Sequence, residues 1–452
     1  MRRECFFGLA LIVSCVFWAA SMLSPIEAGS KALAGQPRHA RKSQARQQPP
    51  TVSCVPATLG GIGPAAGVSP GVVNARSAVL MEVSTGKILF EQNADQLIAP
   101  ASLTKIMSLY LVFEALRQGR IHLSDQVFIS KDAWRTGGSR MFLQVGTRVP
   151  LEQIIEGISI VSGNDACVAA AEYLSGSTAT FVDAMNVEAQ KLGMTHTRFL
   201  TVDGLPADGQ LTTAGDMAIL DRAFIQTFPE ALKYTSTKEF KFNNIDQYNR
   251  NRLLFQYPDI DGLKTGYVAA GGYHLSATAY RNGMRLLALV MGADSPAIRA
   301  KEALKLLNYG YSNFTSVKPF EKNQPVAKVA IWKGQKDEVR LYPAKEASFL
   351  ILQNQKNLLK WEIDAPADIS APVAANLPIG KIVFTVSGKP ERTIDLVSRE
   401  NVALGSWFKR SRQSIEMSVQ TFSWKWLSWL VGGLAIFVIL LLLVTGRKSS
   451  RI

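Results

Sequence analysis

Apolar and polar positions along the chain fall into blocks whose periods change, and each change predicts a different element. Phe6 to Ala20 is almost uninterruptedly apolar behind Arg2 and Arg3, with Pro25 and Ala28 after it. That is the pattern of an export signal over 1–28, an uncleaved anchor being the alternative. A lipid attached at Cys15 does not fit, because Phe17 and Trp18 continue the apolar run. Residues 29–70 have no periodic apolar spacing and are rich in Gln, Pro, Arg, Lys, Ala and Gly. They read as a basic flexible linker. Ser77 to Val83 is a buried-strand pattern, Ser84-Thr85-Gly86 a turn, and Lys87 to Phe90 a return strand, which together predict a hairpin. After Pro100, Leu103, Ile106, Met107, Tyr110 and Leu111 recur at helical spacing, so Ala101 to Gln118 is an expected helix stopped by Gly119. Further helices are expected over 151–160, 165–174 and 179–192. Beyond Asp259 the period reverts to strands, over 262–268, 273–280 and 285–291, and a helix over 297–309 closes the unit. Strands at both ends with helices between predict an α/β (α+β) domain over 71–315, whose one antiparallel sheet draws on distant sequence.

From about Val317 the pattern shortens. Ala327–Trp332, Val339–Tyr342 and Ile382–Val386 are brief runs between Gly, Pro, Asn and Asp turns, as in a small all-β domain over 316–405. With no cluster of nucleophile, base and oxyanion donors, it reads as a spacer or docking module. A linker over 406–425 precedes the apolar run Trp426 to Val444, which has the length of a bilayer core. Trp424, Trp426 and Trp429 gather where that run begins, and Arg447, Lys448 and Arg451 follow it. A transmembrane helix over 426–445 and a cytoplasmic tail over 446–452 are expected, with everything earlier outside the cytoplasmic membrane.

Composition changes this picture little. At 452 residues, 47% hydrophobic and 19% charged, the chain is an ordinary folded protein with room for several domains. The net charge of +14 is scattered, with no basic stripe interleaved with aromatics, which argues against nucleic acid and suits an anionic envelope surface. Cys5 and Cys15 lie in the signal, Cys54 in the linker and Cys167 in an apolar helical run, so Cys167 is expected to be a buried free thiol. His39, His122, His196 and His274 show no ligand spacing, and no metal or cofactor is expected.

The candidate chemistry lies in three short motifs in one order: Ser102-Leu103-Thr104-Lys105, Ser162-Gly163-Asn164 and Lys264-Thr265-Gly266. Ser102 and Lys105, three apart at the start of a helix, share one face. A serine hydroxyl needs a base to become a nucleophile, and lysine can be that base once burial or a second ammonium, such as Lys264, lowers its pKa. The helix start adds backbone N–H groups that favour developing negative charge. Ser162 can relay a proton and Asn164 can bond a substrate peptide, although the pair also suits an ordinary cap for the next helix. Gly266, a glycine within a strand, marks a close backbone approach and suits an extended peptide lying along the strand edge, reached by Lys264 and Thr265. Each motif alone occurs by chance; together, on a helix, a turn and a strand of one domain, they point to a serine acyl-transfer enzyme.

Through these motifs, residues 70 to 405 resemble the low-molecular-mass penicillin-binding proteins of the D-Ala-D-Ala carboxypeptidase type, which have a β-lactamase-like fold. The likeness includes Gly138 to Leu143, Thr201-Val202-x-Gly204-Leu205, Asp216-Met217-Ala218, Asn249-Arg-Asn251 and Asp261-Gly262-Leu263. It implies acylation of Ser102 by peptidoglycan pentapeptide stems, release of the terminal D-alanine, and inhibition by β-lactams. It further implies an oxyanion hole from the N–H groups of Ser102 and Tyr267, and a role for Arg299 at the substrate's terminal carboxylate. The chain departs from the family pattern at Tyr267, where histidine is frequent, and at Gly215, where arginine is frequent. A class A β-lactamase would need a deacylating glutamate in a Glu-x-x-Leu-Asn pattern, which Glu172, Glu188, Glu230 and Glu239 do not provide. A D,D-endopeptidase cutting cross-links, or a catalytically idle envelope scaffold, are the remaining alternatives.

Overall fold

The computed structural model describes residues 69–321, 323–421 and 424–446. The expected signal, all but the end of the linker, Cys5, Cys15, Cys54 and the tail beyond Gly446 lie outside the described residues. The expected hairpin is present as β1 (Ser77–Glu82) and β2 (Ile88–Gln92). The later strands are β3 (Ile260–Val268), β4 (Gly272–Arg281) and β5 (Met284–Ala293). They form one sheet in the order β2-β1-β5-β4-β3, antiparallel throughout. Ala78 lies opposite Val290, so the first strand does close onto distant sequence. Every residue of β1 is buried, which explains its continuous apolar run: the sheet is covered on both faces.

The expected helices are also present. The main ones are α1 (Thr104–Arg117), α2 (Leu151–Ser159), α3 (Asn164–Ser175), α4 (Thr178–Leu192), α5 (Ala214–Thr227) and α6 (Pro296–Asn313). One face of the sheet packs with α1 to α5 through Leu103, Met107, Ile154, Phe181, Phe224 and Leu289. The other packs with α6 through Leu80, Leu275, Leu286, Ala303 and Leu306. α6 starts one residue earlier than expected, with Pro296 in its first turn and Ser295 Oγ accepting from Ile298 N–H, and it runs on past Tyr309 to Asn313. α3 starts at Asn164 with Gly163 before it and no side-chain cap, so Ser162 and Asn164 do not serve as the ordinary cap that sequence allowed. Cys167 is a buried free thiol, as expected.

Downstream, a six-stranded sheet and a two-stranded pair (Phe314–Val317 with Phe349–Leu352) enclose a second core of Val339, Leu341, Ile382, Phe384 and Leu396. The stretch expected to be a linker over 406–425 is instead helical over Trp407–Thr421 (α7), with Lys409 paired to Asp337 at 2.6 Å. A last helix, α8, spans Trp424–Gly446, but its described side chains cover only 428–441. Among the described residues no helix is long and apolar enough to cross a membrane, so the fold does not establish the span expected over 426–445.

Candidate active site

The turn that carries Ser102, the candidate nucleophile, is set by backbone before chemistry enters. Pro100 leads into a 3-10 turn over Ala101–Leu103, and α1 continues from Thr104. Ala101, buried, adopts a φ of 48°. A non-glycine residue pays for that left-handed conformation, so its surroundings must hold it. Two glycines do so by bringing backbone closer than any side chain allows. A Cβ on Gly204 would stand 1.9 Å from the Ala101 carbonyl oxygen, and one on Gly266 would stand 3.3 Å from the Ser102 nitrogen. The close approach expected of Gly266 is therefore made to the nucleophile's own turn, which leaves the Ser102 N–H beside strand β3.

One helical turn places Lys105 Nζ 3.1 Å from Ser102 Oγ, as the spacing predicted. Nζ also donates to Asn164 Oδ1 at 2.7 Å and to the Asp203 carbonyl at 2.5 Å. A neutral amine has two N–H donors and one lone pair. With both donors committed to acceptors, the lone pair is left for the hydroxyl of Ser102. Lys105 is completely buried, and burial lowers its pKa, with Arg250 acting the same way and Cys167, Asp203 and Asp165 opposing. Lys264, also buried, is held well below the ordinary lysine range by burial first and then by Lys105, Arg250 and Arg299. Its Nζ donates to its neighbour's carbonyl, Thr265 O, at 3.2 Å. Of the two lysines, Lys105 is the one in contact with Ser102.

Ser162 has a φ of 62°, and its buried hydroxyl finds no hydrogen-bond partner among the described residues. An orphaned buried hydroxyl is costly, and it suits a relay completed only when a substrate arrives. Asn164 spans the site, since its Nδ2 donates to the Gly137 carbonyl at 2.7 Å while Oδ1 accepts from Lys105. The carboxylate of Asp165 accepts from the N–H groups of Met141 and Leu143. That explains why Gly138 to Leu143 belongs with the motifs: α3 holds this loop.

Beside the motif strand, Thr265 lines a cleft of about 950 Å³ with Arg250, Arg299 and Ser295, and the lining of that cleft does not include Ser102, Lys105 or Asn164. Arg299, 9% exposed, donates through Nη1 to the Gly266 carbonyl at 2.9 Å and to the His274 carbonyl at 3.1 Å. Its recorded bonds therefore brace strand backbone, whereas the accessible Arg250 faces the cleft. Tyr267 is 57% exposed and stacks on Tyr273, with ring centroids 4.3 Å apart. Sequence reasoning missed Arg250 as a site residue, along with the Asp203 carbonyl. Both reach the site through packing that no local spacing announces, and Arg250 was visible only inside the quoted Asn-Arg-Asn likeness.

Residues 65–295 match the peptidase S11 family, D-alanyl-D-alanine carboxypeptidase, and residues 314–404 match the C-terminal domain of penicillin-binding protein 5. The D-alanyl-D-alanine carboxypeptidase DacC of Escherichia coli is 41% identical over 364 residues, covering 79% of this chain and 91% of that protein. Penicillin-binding protein 5 of Haemophilus influenzae superposes with a TM-score of 0.66 at 37% identity, over 75% of this chain and 100% of the other. Penicillin-binding protein D2 of Listeria monocytogenes, solved with cefotaxime bound, is 30% identical with a TM-score of 0.50 over 53% of this chain and 98% of the other. The Ser102–Lys105 pair thus sits in a penicillin-binding peptidase fold with an all-β C-terminal domain, and the chain belongs to the D-alanyl-D-alanine carboxypeptidase family.

Proposed function

We propose that the protein is a serine D-Ala-D-Ala carboxypeptidase acting on peptidoglycan stem peptides and acylated by β-lactams. The observation that carries this is the buried Lys105 Nζ, held by Asn164 Oδ1 and Asp203 O and 3.1 Å from Ser102 Oγ, so that the neutral amine would turn its lone pair to the hydroxyl. The reaction follows from that arrangement. Lys105 takes the Ser102 proton as Oγ attacks the carbonyl of the penultimate D-alanine. The oxyanion that forms lies against the N–H of Ser102, with the N–H of Tyr267 as the second donor. Ser162 and Lys264 complete the proton route to the leaving D-alanine nitrogen, while Asn164 Oδ1 holds Lys105 in place, and water then releases the acyl group from Ser102. Thr265 and the guanidinium groups of Arg250 and Arg299 line the wall where the substrate's terminal carboxylate would be read. Incubation with benzylpenicillin should add one penicilloyl group at Ser102, located by peptide mass spectrometry, and a synthetic pentapeptide should lose one D-alanine. An adduct that persists in Ser102→Ala would remove Ser102 from its role. Cleavage of a cross-linked dimer in preference to the pentapeptide would favour the endopeptidase alternative.

The same reading puts the enzyme in the bacterial envelope, exported by residues 1–28 and held in the cytoplasmic membrane by α8, with the catalytic domain outside. Its support is the apolar sequence Trp426 to Val444 and the exposure of Trp429, Leu430, Val438 and Ile439 around one helix. Apolar groups bared on every side of a helix are compatible with lipid and not with water. A chain ended before Trp424 should be soluble and active. If it still sediments with membranes, the anchor lies elsewhere.

A further inference from the structure

His274 has no part in the reaction just described, yet it is completely buried on β4 beside the nucleophile turn. Its Nε2 lies 2.9 Å from the carbonyl oxygen of Ala99, and its Nδ1 lies 2.9 Å from the backbone N–H of Gly292. A carbonyl can only accept and an N–H can only donate, so the two partners fix one neutral tautomer, protonated at Nε2. Burial, aided by Arg299 and Arg76, pushes the imidazole's pKa down to about 4, against a contrary pull from its bonds to backbone. The ring therefore stays neutral at physiological pH.

The place of these bonds matters more than their number. Ala99 opens the Pro100-Ala101-Ser102 turn, where Ala101 is in the left-handed region. The backbone carbonyl of His274 shares Arg299 Nη1 with the carbonyl of Gly266, the residue that lies against Ser102 N. One residue thus ties the turn that carries the nucleophile to the strand that carries the second oxyanion donor. From this arrangement we infer that His274 is a positioning residue for acylation: its neutral ring holds the strained turn at a fixed distance from β3. A satisfied core histidine with no influence on rate is the competing account, and the two make different predictions.

The inference rests on Ser102 being the nucleophile, so wild-type acylation at Ser102 is the first control. Its failure would overturn the proposed function, whereas normal wild-type acylation with insensitive variants would overturn only the role of His274. The test uses the full chain and the acylation rate constant for benzylpenicillin, resolved from the affinity of the non-covalent complex. In H274A that rate should fall by about a hundredfold, the scale of a misplacement near 1 Å. Glutamine carries an amide nitrogen at the reach of Nε2 and can still donate to Ala99 O. Asparagine carries an oxygen at the reach of Nδ1 and can still accept from Gly292 N–H. Each therefore keeps one of two buried hydrogen bonds, and the melting temperatures should be similar. H274Q should nevertheless recover at least about tenfold of the lost rate and H274N almost none, because only the bond to Ala99 touches the nucleophile's turn. Equal rates in H274Q and H274N, or a rate in H274A close to wild type, would overturn the proposal. Should the variants fail to fold, hydrogen exchange of the His274 ring proton in the wild type decides: acylation of Ser102 should change that rate at least about tenfold, since the turn it holds is then fixed by the acyl group. An unchanged rate would also overturn it.

Discussion

Replacing Gly204 by alanine tests whether the nucleophile's position, beyond its identity, governs this enzyme. The added Cβ would stand 1.9 Å from the carbonyl oxygen of Ala101 and 2.5 Å from its carbon, where real Cβ contacts do not fall below 3.0 Å. Backbone at Gly204 or at Ala101 must therefore move by about 1 Å, and a shift taken up by Ala101 falls on the residue next to Ser102. A shift of that size at a reacting centre costs on the order of a hundredfold in rate, or about 2.7 kcal/mol of transition-state stabilisation. The variant also places a side chain at a φ of 82°, which destabilises the fold by itself by about 1 kcal/mol. Gly209 separates the two effects. Its φ is 85°, but a Cβ there would meet nothing nearer than Leu200 Cδ1 at 4.0 Å. Gly209→Ala should share the stability loss and keep the wild-type acylation rate, while Gly204→Ala should lose both. Stopped-flow acylation by a fluorescent penicillin, beside thermal melts followed by circular dichroism, provides the two readings. Equal acylation rates in Gly204→Ala and Gly209→Ala would refute the idea that close backbone packing sets the position of Ser102.

Lys105→Arg keeps the charge but offers no lone pair, so acylation should slow by at least about a hundredfold in a folded protein; near-normal labelling would move the base to Lys264. Amidating the terminal D-alanine of a pentapeptide should lower kcat/KM by about ten- to a hundredfold, the loss of one charged hydrogen bond. Arg250→Ala should erase that preference for the free acid, while Arg299→Ala should slow acid and amide alike through the carbonyls it braces; the reverse outcome would exchange their roles. Buried Asp221 accepts from Ser276 Oγ at 2.6 Å, and burial raises its pKa from 3.8 to about 7. The folded state then holds a proton that the unfolded state has released, so this group's contribution to stability falls as pH rises from about 4 to 7, by up to about 4 kcal/mol. His274, depressed from 6.5 to about 4, acts oppositely, and its contribution falls as pH drops through that interval. Urea melts between pH 4 and 8 should show Asp221→Asn gaining on the wild type as pH rises; parallel profiles would mean that Asp221 is not the titrating group.

The parts of the site that could be read in the sequence are those whose geometry is local. Ser102 and Lys105 are one turn apart across the 3-10 start of α1, so their contact follows from local helical geometry. The strand nature of Lys264 to Gly266 likewise follows from the run in which they lie. What stayed hidden depends on residues far apart in the chain. The two acceptors that occupy Lys105, Asn164 Oδ1 and Asp203 O, come from other segments, and the second is a backbone carbonyl with no side-chain signature. His274 has no ligand spacing because it binds backbone on either side of its strand. Arg299 was expected at a carboxylate, and its bonds to Gly266 and His274 were unreadable because they lie between a helix and two strands. The stretch over 406–425 reads as a linker in sequence, and the pairing of its Lys409 with Asp337 on the β domain is again non-local.

The pairing of β1 with β5 has a consequence for how the enzyme comes to exist. Ala78 meets Val290 about 200 residues later, and closing a loop of that length costs about 5 kcal/mol of chain entropy before any contact compensates. Such non-local pairings are slow steps in folding. The helices can form locally and early, but the Ser102 turn and β3 lie near opposite ends of the loop that this pairing closes, and their mutual geometry is fixed when the sheet brings those ends together. Capacity to react with penicillin should therefore appear after the helical signal during refolding, which makes acylation a clock for the last stage of assembly rather than for the first.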